Sequence, residues 1–241
     1  MLHMRYGHQH VITQMISEIN QIFAEIGFVY ASGPEVETAY YNFDRLNVPP
    51  DHPSRDMQDT FWLRAADVTE PTVLRTHTSP VQARYMDAHE PPIRIISPGK
   101  VFRNEATDAT HEAQFFQYEC LYVDREVHMG HLKGTIEYFF SRFFPGETKV
   151  RFRPSYFPFV EPGVEVDMML LEGESKLAGR WIEVMGAGMV HPRVLRESEI
   201  DPTVHSGFAF GMGIDRLAVI KYGVEDIRQM YDGDLRFVNQ F

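Results

Sequence analysis

Short β-like runs bounded by turn residues, with amphipathic helical stretches set among them at irregular intervals, constrain the fold of this chain more than any other feature. Strands are read at Phe28 to Ala31, Phe61 to Leu63, Ile93 to Ile96, Lys100 to Arg103, Phe115 to Val123, Val150 to Arg153, Glu165 to Met169 and Trp181 to Met185. Apolar residues at Ile12, Ile16, Ile19, Phe23 and Ile26 predict a helix that Gly27 ends, and further helices are expected at Ser79 to Asp87, at 131–143 and at Ile214 to Tyr222. A doubly wound fold alternates strand and helix. This order does not, so the pattern predicts an α+β fold on a mostly antiparallel sheet, flanked by helices and spanning 1–241 as one domain. Ser97-Pro98-Gly99 reads as a turn or bulge, the proline-rich 47–59 stretch as a surface loop, and 172–179 as a hairpin tip or insertion.

Composition removes whole classes of function. The 23 basic and 34 acidic residues leave a net charge of −11, so general electrostatic attraction to nucleic acid or to an anionic membrane is not expected. No run has the length of a transmembrane helix. One cysteine, Cys120, allows no internal disulfide and no multi-cysteine zinc site, in keeping with a reducing cytoplasm. HExxH, GxSxG and Walker patterns are all missing, which leaves zinc hydrolysis and nucleophilic catalysis without support.

Three segments carry candidate chemistry. Lys100 to Glu105 and Phe115 to Glu119 flank a polar loop, and side chains two apart on a strand share a face. Arg103 and Glu105 are thus expected on one face, and Phe115, Gln117 and Glu119 likewise: a cation, carboxylates, an amide and a ring that suit a nucleotide, or else an exposed hairpin with a cross-strand ion pair. Gly207 to Arg216, GFAFGMGIDR, is a strand whose glycines permit close approach before it opens into a helix; bulges or tight packing explain such glycines more often than ligand contact does. The aromatic run from Arg151 to Glu161 reads first as core packing and second as a pocket for an aromatic ligand.

In order, a long helix and strand ending at Pro34, the FRNE strand-loop-strand, and GFAFGMGIDR resemble the three signature motifs of class II aminoacyl-tRNA synthetases. YNFDRLN, DTFWL, LRTHTSPVQARYM, RPSYFPFVEPGVEVD, GAGMVHPRVL and YGVEDIR narrow the resemblance to the catalytic alpha subunits of bacterial-type phenylalanyl-tRNA synthetases, from about residue 8 to Phe241. The resemblance implies ATP-dependent activation of L-phenylalanine and its transfer to tRNA(Phe), in the cytoplasm, with a beta subunit in an alpha2beta2 heterotetramer. It implies that Arg103 holds the ATP α-phosphate, that Glu105 and His111 help seat the nucleotide, and that adenine lies between Phe115 and Arg216. Gln117 and Glu119 would meet the amino group of phenylalanine, with His77, Ser79 and Gln82 at the polar end and Phe157, Phe159, Val160 and Ala209 around the ring. Glu161 would be a Mg2+ ligand shared with the beta subunit.

The family's alpha chain usually opens with a helical arm that reaches tRNA, whereas this sequence opens near the catalytic core. Adenylate formation is expected to survive without the arm and tRNA charging to weaken. A separate beta partner is expected, since no anticodon-binding extension follows LRFVNQF. His10-Val11 stands where histidine-proline is usual, and Cys120 where glycine is common. The competing expectations are a synthetase-like paralogue that activates or senses an amino acid without charging tRNA, and a noncatalytic assembly module.

Overall fold

A computed structural model describes residue 7 and residues 9–64, 70–109, 111–171 and 178–241. The chain runs through α1 (Val11–Glu25), β1 (Val29–Tyr30), β2 (Val36–Thr38), α2 (Ala39–Asn42), β3 (Trp62–Leu63), β4 (Thr72–Leu74), α3 (Pro80–Ala88) and β5 (Ile93–Phe102). It continues with β6 (Gln114–Asp124), α4 (Met129–Phe143), β7 (Thr148–Phe157), β8 (Val160–Leu170), β9 (Ile182–Val190), α5 (Pro192–Glu197), β10 (Ser206–Gly213), α6 (Ile214–Tyr222) and α7 (Leu235–Val238).

Seven strands form one sheet in the order β1-β5-β6-β10-β9-β8-β7, antiparallel except where the short β1 runs parallel to β5. A second sheet of three strands, β2-β4-β3, stands beside it. The α+β expectation holds. Most of 172–179 lies outside the described residues.

Strand alternation gives the large sheet two different faces. On one, Tyr118, Cys120, Val166, Met168, Phe208, Phe210 and Met212 pack under helices. The face of α1 buried there is Val11, Ile12, Met15, Ile19, Ile22 and Phe23, the three-and-four spacing that predicted the helix. His10 caps it, Nδ1 accepting the Ile12 amide at 3.2 Å. On the other face, Ile93, Ile95, Leu121 and Val123 meet Val81 and Met86 of α3 and Val194 and Leu195 of α5. Between these clusters that second face is left open.

The structure corrects the turn expected at Ser97-Pro98-Gly99. β5 passes straight through, with Ser97 opposite Glu119, Pro98 opposite Tyr118 and Gly99 opposite Gln117. The even-numbered residues of this stretch turn their backbone groups away from β6: Ala31 donates to the Ile96 carbonyl and the Phe102 amide donates to Arg75. Pro98 therefore removes no hydrogen bond from the β5–β6 ladder, one of the settings in which a sheet tolerates it.

Candidate active site

The floor of the open face is a row of residues in register across four strands. Glu119 on β6 lies opposite Gly211 on β10, which lies opposite Gly186 on β9 and, beyond it, Glu165 on β8. One step along, Leu121, Ala209 and Gly188 form the next row. Small side chains in the middle of both rows leave space above the sheet, and a cavity of about 400 Å³ occupies it. A Cβ on Gly211 would come 3.1 Å from both Gln117 Nε2 and Glu119 Oε1, and one on Gly186 would come 2.8 Å from the Phe157 ring.

One end of this cavity is apolar. Phe157 and Phe159 stack with centroids 6.0 Å apart and planes 21° from parallel, and Val160 and Ala209 complete the walls. The Asn47 amide, on a left-handed backbone at φ 57, donates to the Pro158 carbonyl at 2.6 Å and fixes the turn between the two rings.

The other end holds a buried carboxylate. Ser79 Oγ donates to Glu119 Oε1 at 2.7 Å and Gln82 Nε2 donates to Oε2, both from the start of α3. Burial pushes the Glu119 carboxyl up to about 7, against the pull of those two donors and of Arg103 and Arg75. His77 stands on the same wall; burial and the Arg103 charge push its imidazole down to about 3, so it is neutral near pH 7 and acts only through its uncharged ring. Among the described residues the buried Gln117 Oε1 and His77 Nδ1 have no hydrogen-bond partner, and both side chains line the cavity.

A second cavity of about 340 Å³ adjoins the first, and Arg103, Glu105, Gln117 and Gly211 line both. Phe115, His111 and Arg216 lie around it. The Arg103 guanidinium sits 5.1 Å from the Phe115 ring centroid, and its Nε donates to the Thr76 carbonyl at 3.4 Å. Arg216 donates to the Glu183 carbonyl at 2.9 Å. Asp215 beside it is buried, accepts the Phe116 amide at 2.9 Å and the Tyr231 hydroxyl, and so ties α6 to the start of β6. His111 is held by Asp108, Nδ1 to Oδ1 at 3.1 Å. A ring, two guanidinium groups and glycines that admit close approach suit a nucleotide triphosphate.

The structure thus gathers fourteen of the fifteen sequence-assigned positions around two adjoining cavities. Arg103 and Glu105 reach them from the loop after β5, which ends at Phe102, and not from a strand face as expected. Glu161 is the exception. It lines neither cavity, its side chain is 73% exposed, and its carboxylate meets His191 Nε2 at 3.3 Å. Among the described residues no group of three or more His, Cys, Asp or Glu forms a metal site. Magnesium is usually held by one or two carboxylates together with substrate phosphates and waters, and Glu161 brings a single exposed carboxylate outside both cavities, so this chain's residues do not by themselves form a magnesium site. Sequence reasoning also missed Val48, His52, Ser54 and Asp59, which carry the supposed surface loop onto the cavity rim; its prolines and polar residues gave no periodic signal.

The family model of the tRNA synthetases class II core domain (F) matches residues 2–241. The chain is 53% identical over 240 residues to the phenylalanine–tRNA ligase alpha subunit of Alkaliphilus metalliredigens, across 98% of this chain and 69% of that one. It is 52% identical to the alpha subunit of the same name from Caldanaerobacter subterraneus, with 98% and 70% covered, and 54% identical to that of Streptococcus pneumoniae, with 98% and 68% covered. Among solved structures, the pyrrolysyl-tRNA synthetase of Desulfitobacterium hafniense superposes with a TM-score of 0.70 at 19% identity, over 94% of this chain and 75% of that one. That likeness speaks to the fold alone.

Proposed function

This chain belongs to the alpha subunits of phenylalanine–tRNA ligase, within the class II tRNA synthetases, and from that premise we propose that its two cavities hold the two halves of phenylalanyl-adenylate. It is a ligase of the aminoacyl-tRNA synthetase type. The observation that carries the site reading is the shared wall: Arg103 and Gln117 stand where an apolar slot with a carboxylate at its polar end meets a cavity suited to a nucleotide.

The benzyl group of phenylalanine occupies the slot between Phe157, Phe159, Val160 and Ala209. Its ammonium meets Glu119 and the free Gln117 Oε1. ATP lies in the second cavity with adenine between Phe115 and Arg216 and its α-phosphate at Arg103, while Glu105 and His111 face it. An oxygen of the substrate carboxylate attacks the α-phosphorus in line, the bond to the bridging oxygen breaks, and pyrophosphate leaves with the electron pair. No protein nucleophile is needed. Alignment of the reactants is worth up to ~7–11 kcal/mol in favourable cases, and the Arg103 guanidinium offsets the charge that repels one anion from another. A terminal ribose hydroxyl of tRNA(Phe) then attacks the adenylate carbonyl and AMP departs. Magnesium accompanies ATP in this reading; Glu161, which lines neither cavity, would instead offer one hard oxygen ligand to a separate ion shared with the beta subunit.

The alpha-subunit relatives support assembly with a second kind of chain, which we assign as the beta subunit of an alpha2beta2 heterotetramer. Among the described residues no helix is long and apolar enough to cross a membrane. The lone buried thiol, Cys120, suits a reducing cytoplasm. Identity above 50% along 98% of the chain to ligases argues against the noncharging paralogue. Phenylalanine-dependent ATP–pyrophosphate exchange, run with and without the beta chain and with tyrosine as competitor, tests the assignment. Exchange that requires phenylalanine is the expected result, and its absence from the full complex would refute it.

Glu119 gives the reaction a pH signature. Its carboxyl sits near 7, well above the ordinary 4.5, so below that pH the ammonium of phenylalanine meets a neutral acid. The KM for phenylalanine is expected to fall as pH rises through about 7, by up to roughly tenfold per unit on the acid side. Glu119→Gln should raise KM and flatten the profile. In the free protein the sign is opposite: this group favours the fold most below its unfolded value and loses that contribution as pH climbs through about 7, because ionising a buried carboxyl then costs energy.

A further inference from the structure

Arg75 is 4% exposed, lines neither cavity, and has no part in the mechanism above. Its surroundings are unusual. Nε donates to the Lys100 carbonyl at 2.8 Å, while Nη1 reaches the Gly33 and Pro34 carbonyls at 3.1 and 3.4 Å. Its own amide donates to the Glu35 carbonyl and its own carbonyl accepts the Phe102 amide, both at 2.9 Å.

These bonds fill a gap in the sheet. β1 pairs with β5 only at Ile95 and Ile96, so from Pro98 onward that edge of β5 has no neighbouring strand. Arg75 takes the strand's place at Lys100 and Phe102, the last residues before Arg103. Gly99 opposes it closely: a Cβ there would lie 2.1 Å from Arg75 Nη2 and 3.1 Å from Thr78 Cγ2.

The segment that begins at Arg75 then runs directly into the site. Thr76 accepts Arg103 Nε at 3.4 Å, His77 lines the cavity, and Ser79 donates to Glu119. Two chain segments that must keep a fixed separation, 75–79 and 100–103, are thus joined at their common root by one guanidinium. A planar guanidinium presents its donors in fixed directions from Nε and both Nη, so it spans carbonyls of two separate segments; a compact ammonium on a flexible stem lacks that spread and fixed geometry.

We propose that Arg75 is a positioning residue for adenylate formation: it sets where Arg103 and the His77–Ser79 wall stand relative to Glu119 without touching either substrate. The inference deepens the function proposed above and rests on it.

Two substitutions in the complex with the beta subunit test it from opposite sides. Arg75→Lys keeps the charge and loses the fork. Gly99→Ala keeps every functional group and displaces the guanidinium. Both are expected to lower kcat for pyrophosphate exchange by roughly ten- to a hundredfold, the cost of a misplacement of about an ångström, with smaller changes in the KM for phenylalanine. A third substitution, Arg75→Met, removes the charge. The charged groups facing Glu119 are Arg103 and Arg75, with Ser79 and Gln82 as neutral donors, and both arginines hold its carboxyl down. Arg75→Met should therefore move the pH dependence of KM upward, and Arg75→Lys should leave it in place. An unchanged kcat in Arg75→Lys and Gly99→Ala overturns the proposal. So does a loss that merely tracks an unfolding temperature below that of the assay, since that assigns Arg75 to folding alone. Absence of exchange in the unmodified complex would instead sink the adenylate reading itself.

Discussion

Arg103→Ala is expected to lower phenylalanine-dependent pyrophosphate exchange by about two to three orders of magnitude, the usual effect of deleting a preorganised group that meets charge developing in a transition state. Two separate losses combine. The guanidinium that faces both cavities is gone, so nothing offsets the repulsion between an attacking carboxylate and a phosphate. Glu105, Glu119 and Asp59, whose charges all act on Arg103, are then left around a site that must accept an anion. Losing that cation also lets the Glu119 carboxyl rise further, which weakens the grip on the ammonium at neutral pH. Arg103→Lys should recover only part of the rate, because an ammonium matches a phosphate at one point instead of two. The thermal midpoint should change little, since Arg103 follows the end of β5 and contributes to none of the apolar clusters. A fall in exchange of less than about fivefold would remove Arg103 from the reacting centre.

How far such a site can be read in advance depends on what each residue signals locally. Helix α1 was legible because its buried face repeats every three or four residues, and β6 and β10 because their register puts alternate side chains on opposite faces. Gly211 and Ala209 carried a signal as well, since glycine and alanine in a strand leave space. Pro98 misled because a proline's effect depends on which edge of its strand is paired, and that is fixed by the length of β1 some 70 positions earlier in the chain. The 47–59 stretch was invisible as site-lining because it is held by irregular bonds, Arg55 to Asp44 at 2.6 Å and Thr60 to the Ser54 carbonyl at 2.7 Å, which no periodicity announces. Arg75 had no signal either. Its importance is a matter of three carbonyls from two distant segments, and only the folded chain brings them together.

Ala209→Gly is expected to raise kcat/KM for para-substituted phenylalanines such as para-chlorophenylalanine by roughly tenfold or more, with a smaller change for phenylalanine itself. Ala209 is 7% exposed, faces the slot from β10, and has Gly188 opposite on β9, so its methyl is the one side-chain atom that β10 and β9 place in that row. Removing it lengthens the slot without disturbing the ring stack on the far wall. Gly186→Ala should act in the opposite sense. Its Cβ would press to 2.8 Å from the Phe157 ring that forms the slot wall, and the KM for phenylalanine should rise roughly tenfold while that for ATP holds. The pair also bears on tyrosine. An apolar wall rejects an added hydroxyl only about a hundredfold, so a slot lengthened at Ala209 should let tyrosine activation rise toward that of phenylalanine. Pyrophosphate exchange with phenylalanine, tyrosine and the para-chloro analogue measures all three. If neither substitution changes the ratios among them, the amino-acid side chain does not lie between Phe157, Phe159 and Ala209.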